Sequence, residues 1–365
     1  MNHTGNDAYP YTTPEQQIQK LKAQKLTFSN EESAKRALKI WGHYNIINGY
    51  REPYLIREYG EKRYYPETTF EQILSLFLLD RGIREGVLAA MIDLEEHLRA
   101  VVADIVAEDF GTDHNVYLQN NNYRDKRVRN PQFHRNTILG KMRNAAEHSD
   151  TQPVKYYREH HGIVPPWILL KGIYFSTLVN FIRFFKAPQR IKLVRALYGN
   201  NVPDEKLDYY KDLLADTFSM CVEYRNCAAH GGRIYNYIPH SIIRSLADSE
   251  LACGLPQLLH VLSLLEYDLP HKKLDSAIDT ALNNYCPMFP NALELLEKAM
   301  GFHIYKEDHV WINPTTRKYH SIQHCSGNAS SIRIPLETAQ KAGYVACKRC
   351  CKNIPAAPTT GNSVI

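Results

Sequence analysis

Residues 69–110 have the sequence TFEQILSLFLLDRGIREGVLAAMIDLEEHLRAVVADIVAEDF, and this stretch decides the fold class. Its apolar residues recur at steps of three and four positions, which is the period of one helix face. Gly111 follows and is a residue type that commonly ends a helix. The stretch therefore predicts one or two long helices. The positions expected to face a core are Ile73, Leu74, Phe77, Leu78, Ile83, Val87, Ala90, Leu94, Leu98, Val101 and Ile105.

Helical periodicity also appears on both sides of this stretch. Residues 112–134 interrupt it with a polar segment, which we predict to be a loop with a basic patch. Arg124 and Arg127 of this patch are candidate contacts for a nucleic acid such as RNA, and an exposed loop without that role is the alternative. No run of alternating apolar and polar residues is long enough to indicate a strand before residue 302, so a mainly α fold is expected. The further helices are predicted at residues 14–24, 168–185, 207–227, 242–265, 274–282 and 291–300, with another beginning after Asn30.

The character of the sequence changes near Gly301. Residues 309–312 and 330–334 are short strand candidates, and 336–343 a short helix. We therefore predict a helical domain over residues 1–302, a small α+β module over 303–356 and a loose tail over 357–365.

The positive charge is unevenly distributed. The chain of 365 residues has a formal net charge of +5, and residues 301–365 carry all of that excess. A basic end on a neutral body suggests contact with a polyanion such as nucleic acid, although it can equally serve solubility alone. Lys348 and Arg349 are the residues of this end that we predict to contact RNA.

No membrane span or export signal is apparent. The chain has no run of about 18 apolar residues, which a spanning helix needs. Residues 1–7 lack the basic and apolar regions of a secretory signal. We therefore expect a cytoplasmic protein with reduced cysteines.

Four of the eight cysteines fall in the last 41 residues. One histidine and three thiolates can form a tetrahedral zinc site, and Cys-x-x-Cys is typical of one. The site would be structural, because four protein ligands leave no open coordination position on the metal. A module this small also needs a bound metal or a similar cross-link to stabilise its fold. The predicted ligands are His320, Cys325, Cys347 and Cys350.

Two ligand positions stay open, because His324 competes with His320 and Cys351 with Cys350. A disulfide or free thiols are the alternatives to a metal site.

The residues Arg225-Asn226-Cys227-Ala228-Ala229-His230 combine groups that can bind and cleave a phosphodiester without a metal. The imidazole can move a proton near neutral pH, and the guanidinium forks onto phosphate oxygens. On a helix, Asn226 and His230 share a face. Arg233 and Asn236 follow closely and are predicted to bind the RNA backbone.

The same spacing occurs in Arg143-Asn144-Ala145-Ala146-Glu147-His148. There Glu147 stands beside the histidine and would repel phosphate, so we interpret that copy as a solvated helix face. The later copy is flanked by small residues that allow RNA or a partner to approach.

The segments 224–230 and 232–236 resemble the motif of HEPN-type ribonucleases, and more specifically the Abi-like (AbiD/AbiF) abortive-infection proteins of bacteria. That family usually has two histidines after the alanine, and here Gly231 takes the second place. Other landmarks of the resemblance lie at residues 11–17, 44–51, 79–81, 95–99, 156–157 and 165–167. The C-terminal cysteines resemble small zinc-binding modules appended to some bacterial nucleases.

The resemblance implies a HEPN-type helical domain with additional helices, RNA as substrate, a homodimer that pairs two motifs, and phage infection as the trigger. His230 would move the proton in attack by the RNA's own 2′-hydroxyl. Arg225 would stabilise charge on phosphorus, and Asn226 would orient the histidine or hold a phosphate oxygen. An antitoxin RNA or protein is a further expected partner.

Two other classes of function are compatible with the same residues. One is a non-catalytic RNA-binding protein or scaffold, and the other is a regulator of defence that acts through protein contacts. A DNA nuclease is disfavoured, because the sequence shows no carboxylate cluster for two metals.

Overall fold

The computed structural model describes residues 11–58, 61–126, 130–247, 249, 251–289, 292–301, 304, 309–321, 325 and 332–351. It is mainly helical with a small C-terminal sheet, which confirms the predicted mainly α fold class. The helices are α1 (Pro14–Ala23), α2 (Glu31–Trp41), α3 (Phe70–Phe110), α4 (His114–Tyr117), α5 (Arg135–His148), α6 (Val154–His161), α7 (Pro166–Leu169), α8 (Phe175–Ile182), α9 (Ala187–Tyr198), α10 (Leu207–Ala229), α11 (Leu255–Ser263), α12 (Leu269–Tyr285), α13 (Leu293–Met300) and α14 (Leu336–Lys341).

The chain separates into two compact units, one formed by residues 1–82 and 279–365 and the other by residues 83–278. The unit limits fall inside α3 and α12. The predicted domain limits at 302 and 356 stay predictions, and the predicted tail lies outside the described residues. Within the described part of the chain, no helix combines the length and apolar character needed to cross a bilayer.

The stretch that decided the fold class forms a single helix of 41 residues, α3. Ile83, Val87, Leu94 and Leu98 are completely buried, as the period of the sequence predicts. Leu78 is 41% exposed although the pattern placed it on the core side, and the predicted core positions Leu74 and Val101 are half-buried.

In the unit formed by residues 1–82 and 279–365, side chains cap the first two helices. Thr13 and Gln16 form a reciprocal capping box at the start of α1, with each side chain accepting the other's backbone N–H at 3.3 and 2.9 Å. Asn30 caps α2 by accepting the N–H of Ser33 at 2.9 Å. These contacts explain why the predicted helix starts were right.

A hairpin in the same unit was missed by the sequence analysis. Its strands β1 (Leu55–Glu58) and β2 (Glu61–Tyr64) pair antiparallel, with Leu55 opposite Tyr64. Each strand has only four residues and carries charged side chains, so no alternating pattern of useful length is present. Buried Tyr54 and Tyr64 anchor the hairpin.

The C-terminal part contains a four-stranded sheet and α14. Its strands are β3 (His309–Asn313), β4 (Lys318–His320), β5 (Ile332–Pro335) and β6 (Val345–Ala346). They are adjacent in the order β5-β3-β4-β6; β5 and β4 each pair antiparallel with β3, and β4 runs parallel to β6. The predicted strands at 309–312 and 330–334 and the predicted helix at 336–343 are all present, with shifted ends.

Two predicted helices in the unit of residues 83–278 are wrong in extent. The stretch 168–185 is divided between α7, a short 3-10 turn and α8, because Ile173 and Tyr174 are extended. Among the described residues of the stretch 242–265, only α11 and a 3-10 turn at Arg244–Leu246 are helical. Gly254 precedes α11 with a φ of +101°, a conformation that stops any helix from running through it.

Helix α10 is the central element of this unit. It packs against α8, α9 and α11. Its buried residues Thr217, Cys221, Tyr224 and Ala228 recur at steps of three and four and form one continuous face. This packing fixes the helix and so positions the residues at its C-terminal end.

Candidate functional site

The C-terminal end of α10 carries the Arg-Asn-His motif. His230 is the residue that caps the helix, and its backbone N–H still donates to the carbonyl of Asn226 at 3.0 Å. Because this last turn is closed, Asn226 and His230 lie on the same side, and both are exposed. Arg225 is half-buried, and its Nη1 donates to Oδ1 of Asn226 at 3.4 Å. The structure therefore brings Arg225 and Asn226 together and leaves His230 open to solvent.

Two glycines turn the chain directly after His230. Gly231 has a φ of +73° and donates to the carbonyl of Ala228 at 3.2 Å. Gly232 donates to the carbonyl of Cys227 at 2.8 Å. This pair of bonds is the Schellman arrangement that ends helices. A Cβ at Gly232 would lie 2.4 Å from Sγ of Cys227, so the turn leaves no room for a side chain there.

The residues after the turn include a buried pair with an accessible residue on each side. Ile234 and Tyr235 are almost completely buried and anchor the segment. Arg233 before them is exposed, and Asn236 after them is half-buried. Arg233 and Asn236 are the predicted RNA-binding residues of this segment, and the buried pair between them holds them in place.

Arg84 on α3 belongs to this site and was missed. Its Nη1 donates to the carbonyl of Gly231 at 3.1 Å and approaches that of Gly232 at 3.4 Å. It therefore fixes the turn that follows His230. No local signal could have found it, because it precedes the turn by 147 residues.

Glu223 was also missed. Its carboxylate accepts the backbone N–H groups of His240 and Ser241 at 2.7 and 2.8 Å, and the hydroxyls of Ser241 and Tyr237. Burial raises the pKa of Glu223, but the hydrogen bonds from Ser241 and His240 outweigh it, so the pKa lies below the ordinary 4.5. The residue is thus a charged anchor that ties α10 to the segment at 237–241.

The second copy of the motif, at the end of α5, has different surroundings. Arg143 is half-buried, and its Nη1 donates to the carbonyl of Leu118 at 2.8 Å. His148 is exposed, and its Nε2 lies 3.7 Å from the Glu147 carboxylate. The arginine of this copy is therefore structural, and the histidine faces a carboxylate, as the sequence suggested.

The other predicted RNA-binding residues lie in several places. Arg124 is half-buried and donates from Nε and Nη2 to the carbonyl of Arg183 at 3.1 and 2.9 Å. Arg127 lies outside the described residues. Lys348 and Arg349 are exposed and stand between two of the predicted metal ligands.

Four side chains of the C-terminal part form a candidate metal centre. Their ligand atoms all lie within 4.8 Å of one another. Sγ of Cys325 is 3.8 Å from Sγ of Cys347, and Sγ of Cys350 is 3.7 Å from Nδ1 of His320. A tetrahedral zinc ion with Zn–S bonds of about 2.3 Å would hold neighbouring sulfurs about 3.8 Å apart. The donors therefore fit a tetrahedral metal ion.

The sheet brings these ligands together. His320 ends β4, and the N–H of Cys347, directly after β6, donates to the carbonyl of Tyr319 at 2.9 Å. The competing Cys351 is buried, its thiol donates to the same carbonyl at 3.4 Å, and its Sγ lies 3.8 Å from Sγ of Cys350. It lies beside the group of four but is not one of the four residues whose ligand atoms come together. The competing His324 lies outside the described residues. All eight cysteines are described and none forms a disulfide.

The model of the Abi-like protein family matches residues 36–236, which is more than half of the chain. The chain belongs to the Abi-like family. The match includes α10 and ends at Asn236, the last residue of the motif, and it does not include the candidate metal centre. Comparisons with curated proteins and with solved structures found no match.

Proposed function

We propose that this Abi-like protein is a HEPN-type endoribonuclease that acts in bacterial defence against phage by abortive infection. One observation carries the proposal: the family match includes a motif whose Asn226 and His230 are exposed together at a helix end, with Arg225 beside them. The turn at Gly231 and Gly232 adds no side chain there, so an RNA backbone can approach the imidazole.

The reaction class follows from the groups present. The 2′-hydroxyl oxygen of the RNA attacks the adjacent phosphorus while His230 takes its proton. The P–O5′ bond breaks, the leaving oxygen takes up a proton, and the products are a 2′,3′-cyclic phosphate and a 5′-hydroxyl end. Arg225 stabilises the charge on the five-coordinate phosphorus. General acid–base catalysis of this kind contributes about 10²–10⁴-fold in rate.

Two proton transfers require a base and an acid, and each chain offers one imidazole in the motif. We therefore propose a homodimer in which two copies of the motif share one scissile phosphate. Arg233 and Asn236 would bind the backbone on either side.

The candidate metal centre of the C-terminal part has a structural role in this proposal. His320, Cys325, Cys347 and Cys350 would hold a structural zinc ion, which would supply folding stability to the small sheet. Lys348 and Arg349 would then be presented on a rigid turn and tether RNA. A cytoplasmic location, and an antitoxin RNA or protein that restrains cleavage until infection, belong to the same proposal.

The experiment compares three forms of the purified chain: wild type, His230→Ala, and His148→Ala as the matched control from the second copy of the motif. RNA is incubated with each form in a chelator at a concentration that leaves the bound metal in place, as checked by metal analysis. We expect wild type and His148→Ala to release ends with a 2′,3′-cyclic phosphate, and His230→Ala to lose cleavage by at least a thousandfold. Equal rates for wild type and His230→Ala would refute the proposal.

One further variant and a measurement of retained RNA test the non-catalytic alternative. Gly231 stands where the family usually has a second histidine, and this difference favours binding without cleavage as the second candidate. That candidate predicts that wild type retains RNA without cutting it, and that Arg225→Gln together with His230→Ala weakens retention. A regulator acting through protein contacts predicts no retained RNA at moderate salt.

A further inference from the structure

A second basic site lies in the unit of residues 83–278, remote from the motif. It is a cavity of about 80 Å³ beside the N-terminal half of α10. A cavity of this volume has room for several waters, and so for a phosphate group in their place.

The charge of the cavity lining is strongly one-sided. Among the described residues that line it, six are cations and one, Asp212, is a carboxylate, while the apolar part of the lining includes Val179, Leu193 and Phe218. An apolar floor lowers the local dielectric and strengthens the attraction of these cations for an anion. The six cations are Arg124, Lys126, Arg183, Arg190, Lys211 and Arg244.

Four of the cations have partners that fix their positions. Arg183 donates to Oδ1 of Asn180 at 3.1 Å and to the hydroxyl of Ser219 at 2.7 Å. Arg124 donates to the carbonyl of Arg183, while Lys211 and Arg244 pair with Asp208 and Asp216. The positions of these four cations are thus fixed without a ligand. Preorganised cations bind anions at a lower entropic cost.

The two remaining cations, Lys126 and Arg190, form no hydrogen bond or ion pair from their side chains with any described residue. Burial lowers the pKa of Lys126, and the nearby guanidinium groups of Arg124, Arg183, Arg190 and Arg244 lower it further. Like charges held this close repel one another, and a bound anion would relieve that repulsion.

We propose that this cavity binds a phosphoryl anion, either a free phosphate or diphosphate or the terminal phosphates of a nucleotide. The cavity is lined by Ala215, which lies 15 residues before His230, or about 22 Å along α10. An anion in the cavity therefore does not contact His230, and the inference does not depend on RNA cleavage.

The test is calorimetric titration of the full chain at low salt with inorganic phosphate, pyrophosphate, ADP and a 2′-O-methylated RNA 10-mer without terminal phosphates. The cavity variant is Lys126→Gln with Arg190→Gln, because neither side chain supports a described neighbour. The matched control, Lys141→Gln with Arg195→Gln, removes the same charge from the surface of the same unit. Thermal unfolding of each variant checks that it is folded.

We expect wild type and the control to bind pyrophosphate, and the cavity variant to bind it at least tenfold more weakly. Tighter binding of ADP than of pyrophosphate would assign the phosphoryl group to a nucleotide, and equal or weaker binding would assign it to a free anion. The inference is overturned if no small phosphate-bearing anion binds, or if the two variants behave alike. It is also overturned if only the RNA 10-mer binds and the cavity variant alone loses it, because the cavity would then be part of an RNA surface.

Discussion

The guanidinium of Arg84 donates a hydrogen bond of 3.1 Å to the carbonyl of Gly231, the residue directly after His230. The long helix that decided the fold class therefore also holds the turn that follows the candidate catalytic histidine. This contact acts together with the anchors at Glu223 and at buried Ile234 and Tyr235. The end of a helix ordinarily frays, but these three sets of contacts hold the motif in place.

The first prediction concerns Arg84 as a positioning residue. Arg84→Gln removes the charged donor, and we expect RNA cleavage to fall by about tenfold to a hundredfold, since small misplacements of a catalytic group have effects of that size. The free energy of unfolding should change by about 1 kcal/mol or less, because the bond lies near the surface. Cleavage rates and urea unfolding measure the two effects.

Arg84→Lys is the matched control, because it retains a charged donor. It should recover part of the lost rate with the same pH profile as wild type. If Arg84→Gln cleaves as fast as wild type, the turn does not depend on this contact.

The second prediction concerns the two glycines of the turn. Gly231→Ala should destabilise the fold by about 1–2 kcal/mol, because Gly231 has a left-handed φ of +73°. Gly232→Ala should cost more, because its Cβ would lie 2.4 Å from Sγ of Cys227 and 3.0 Å from the Cys227 carbonyl oxygen. Urea unfolding of both variants gives the order.

A double-mutant cycle shows whether the clash with the thiol is the cause. Cys227→Ala removes the sulfur, so Gly232→Ala should cost less in that background than in wild type. A cost of Gly232→Ala that is the same in both backgrounds would assign the strain to the backbone contact instead.

The sequence predicted the parts of this protein that depend on short-range patterns. The capped starts of α1 and α2, the whole of α3 and each of the two pairs of metal-ligand side chains follow from spacing of a few residues. The interruption after α7 and the late start of α11 had local signals that were overlooked, Gly172 in the first case and Gly254 followed by Pro256 in the second. Arg84 could not be predicted, because its role depends on a partner 147 residues away.

The third prediction concerns the pH dependence set by Glu223. Its pKa in the folded chain is lower than the ordinary 4.5, so between those two pKa values the unfolded chain binds more protons than the folded chain. The stability that its charged form contributes is therefore present above about pH 4.5 and is lost as pH falls through the lower folded pKa. Glu223→Gln should be less stable than wild type at pH 6, and this difference should shrink as pH falls towards 3.

Urea unfolding midpoints of both forms across this pH range provide the measurement. Glu337→Gln is a suitable control, because Glu337 also has a lowered pKa, from its pairing with Lys341, but is fully exposed. Its stability difference from wild type should stay small at every pH, since solvent screens exposed ion pairs. A difference between wild type and Glu223→Gln that does not vary with pH would show that the hydrogen bonds, rather than the charge, stabilise the segment.

The fourth prediction separates two adjacent cysteines. Sγ of Cys350 lies 3.7 Å from Nδ1 of His320 within the candidate metal centre, while the thiol of Cys351 donates to the carbonyl of Tyr319 in the apolar core. Cys350→Ser should therefore lose bound zinc, and Cys351→Ser should retain one ion per chain. Because zinc binding supplies folding energy to a module this small, the β3–β4 amides should lose hydrogen-exchange protection in Cys350→Ser only.

Metal analysis and native mass spectrometry of the two variants give the zinc content. Replacing zinc by cobalt adds an independent reading, since a tetrahedral Cys₃His site has a visible absorption that depends on the number of thiolate ligands. Wild type and Cys351→Ser should show the same spectrum. If both variants bind one ion with unchanged spectra, Cys350 is not a ligand; if only Cys351→Ser loses the ion, the ligand set includes Cys351 in its place.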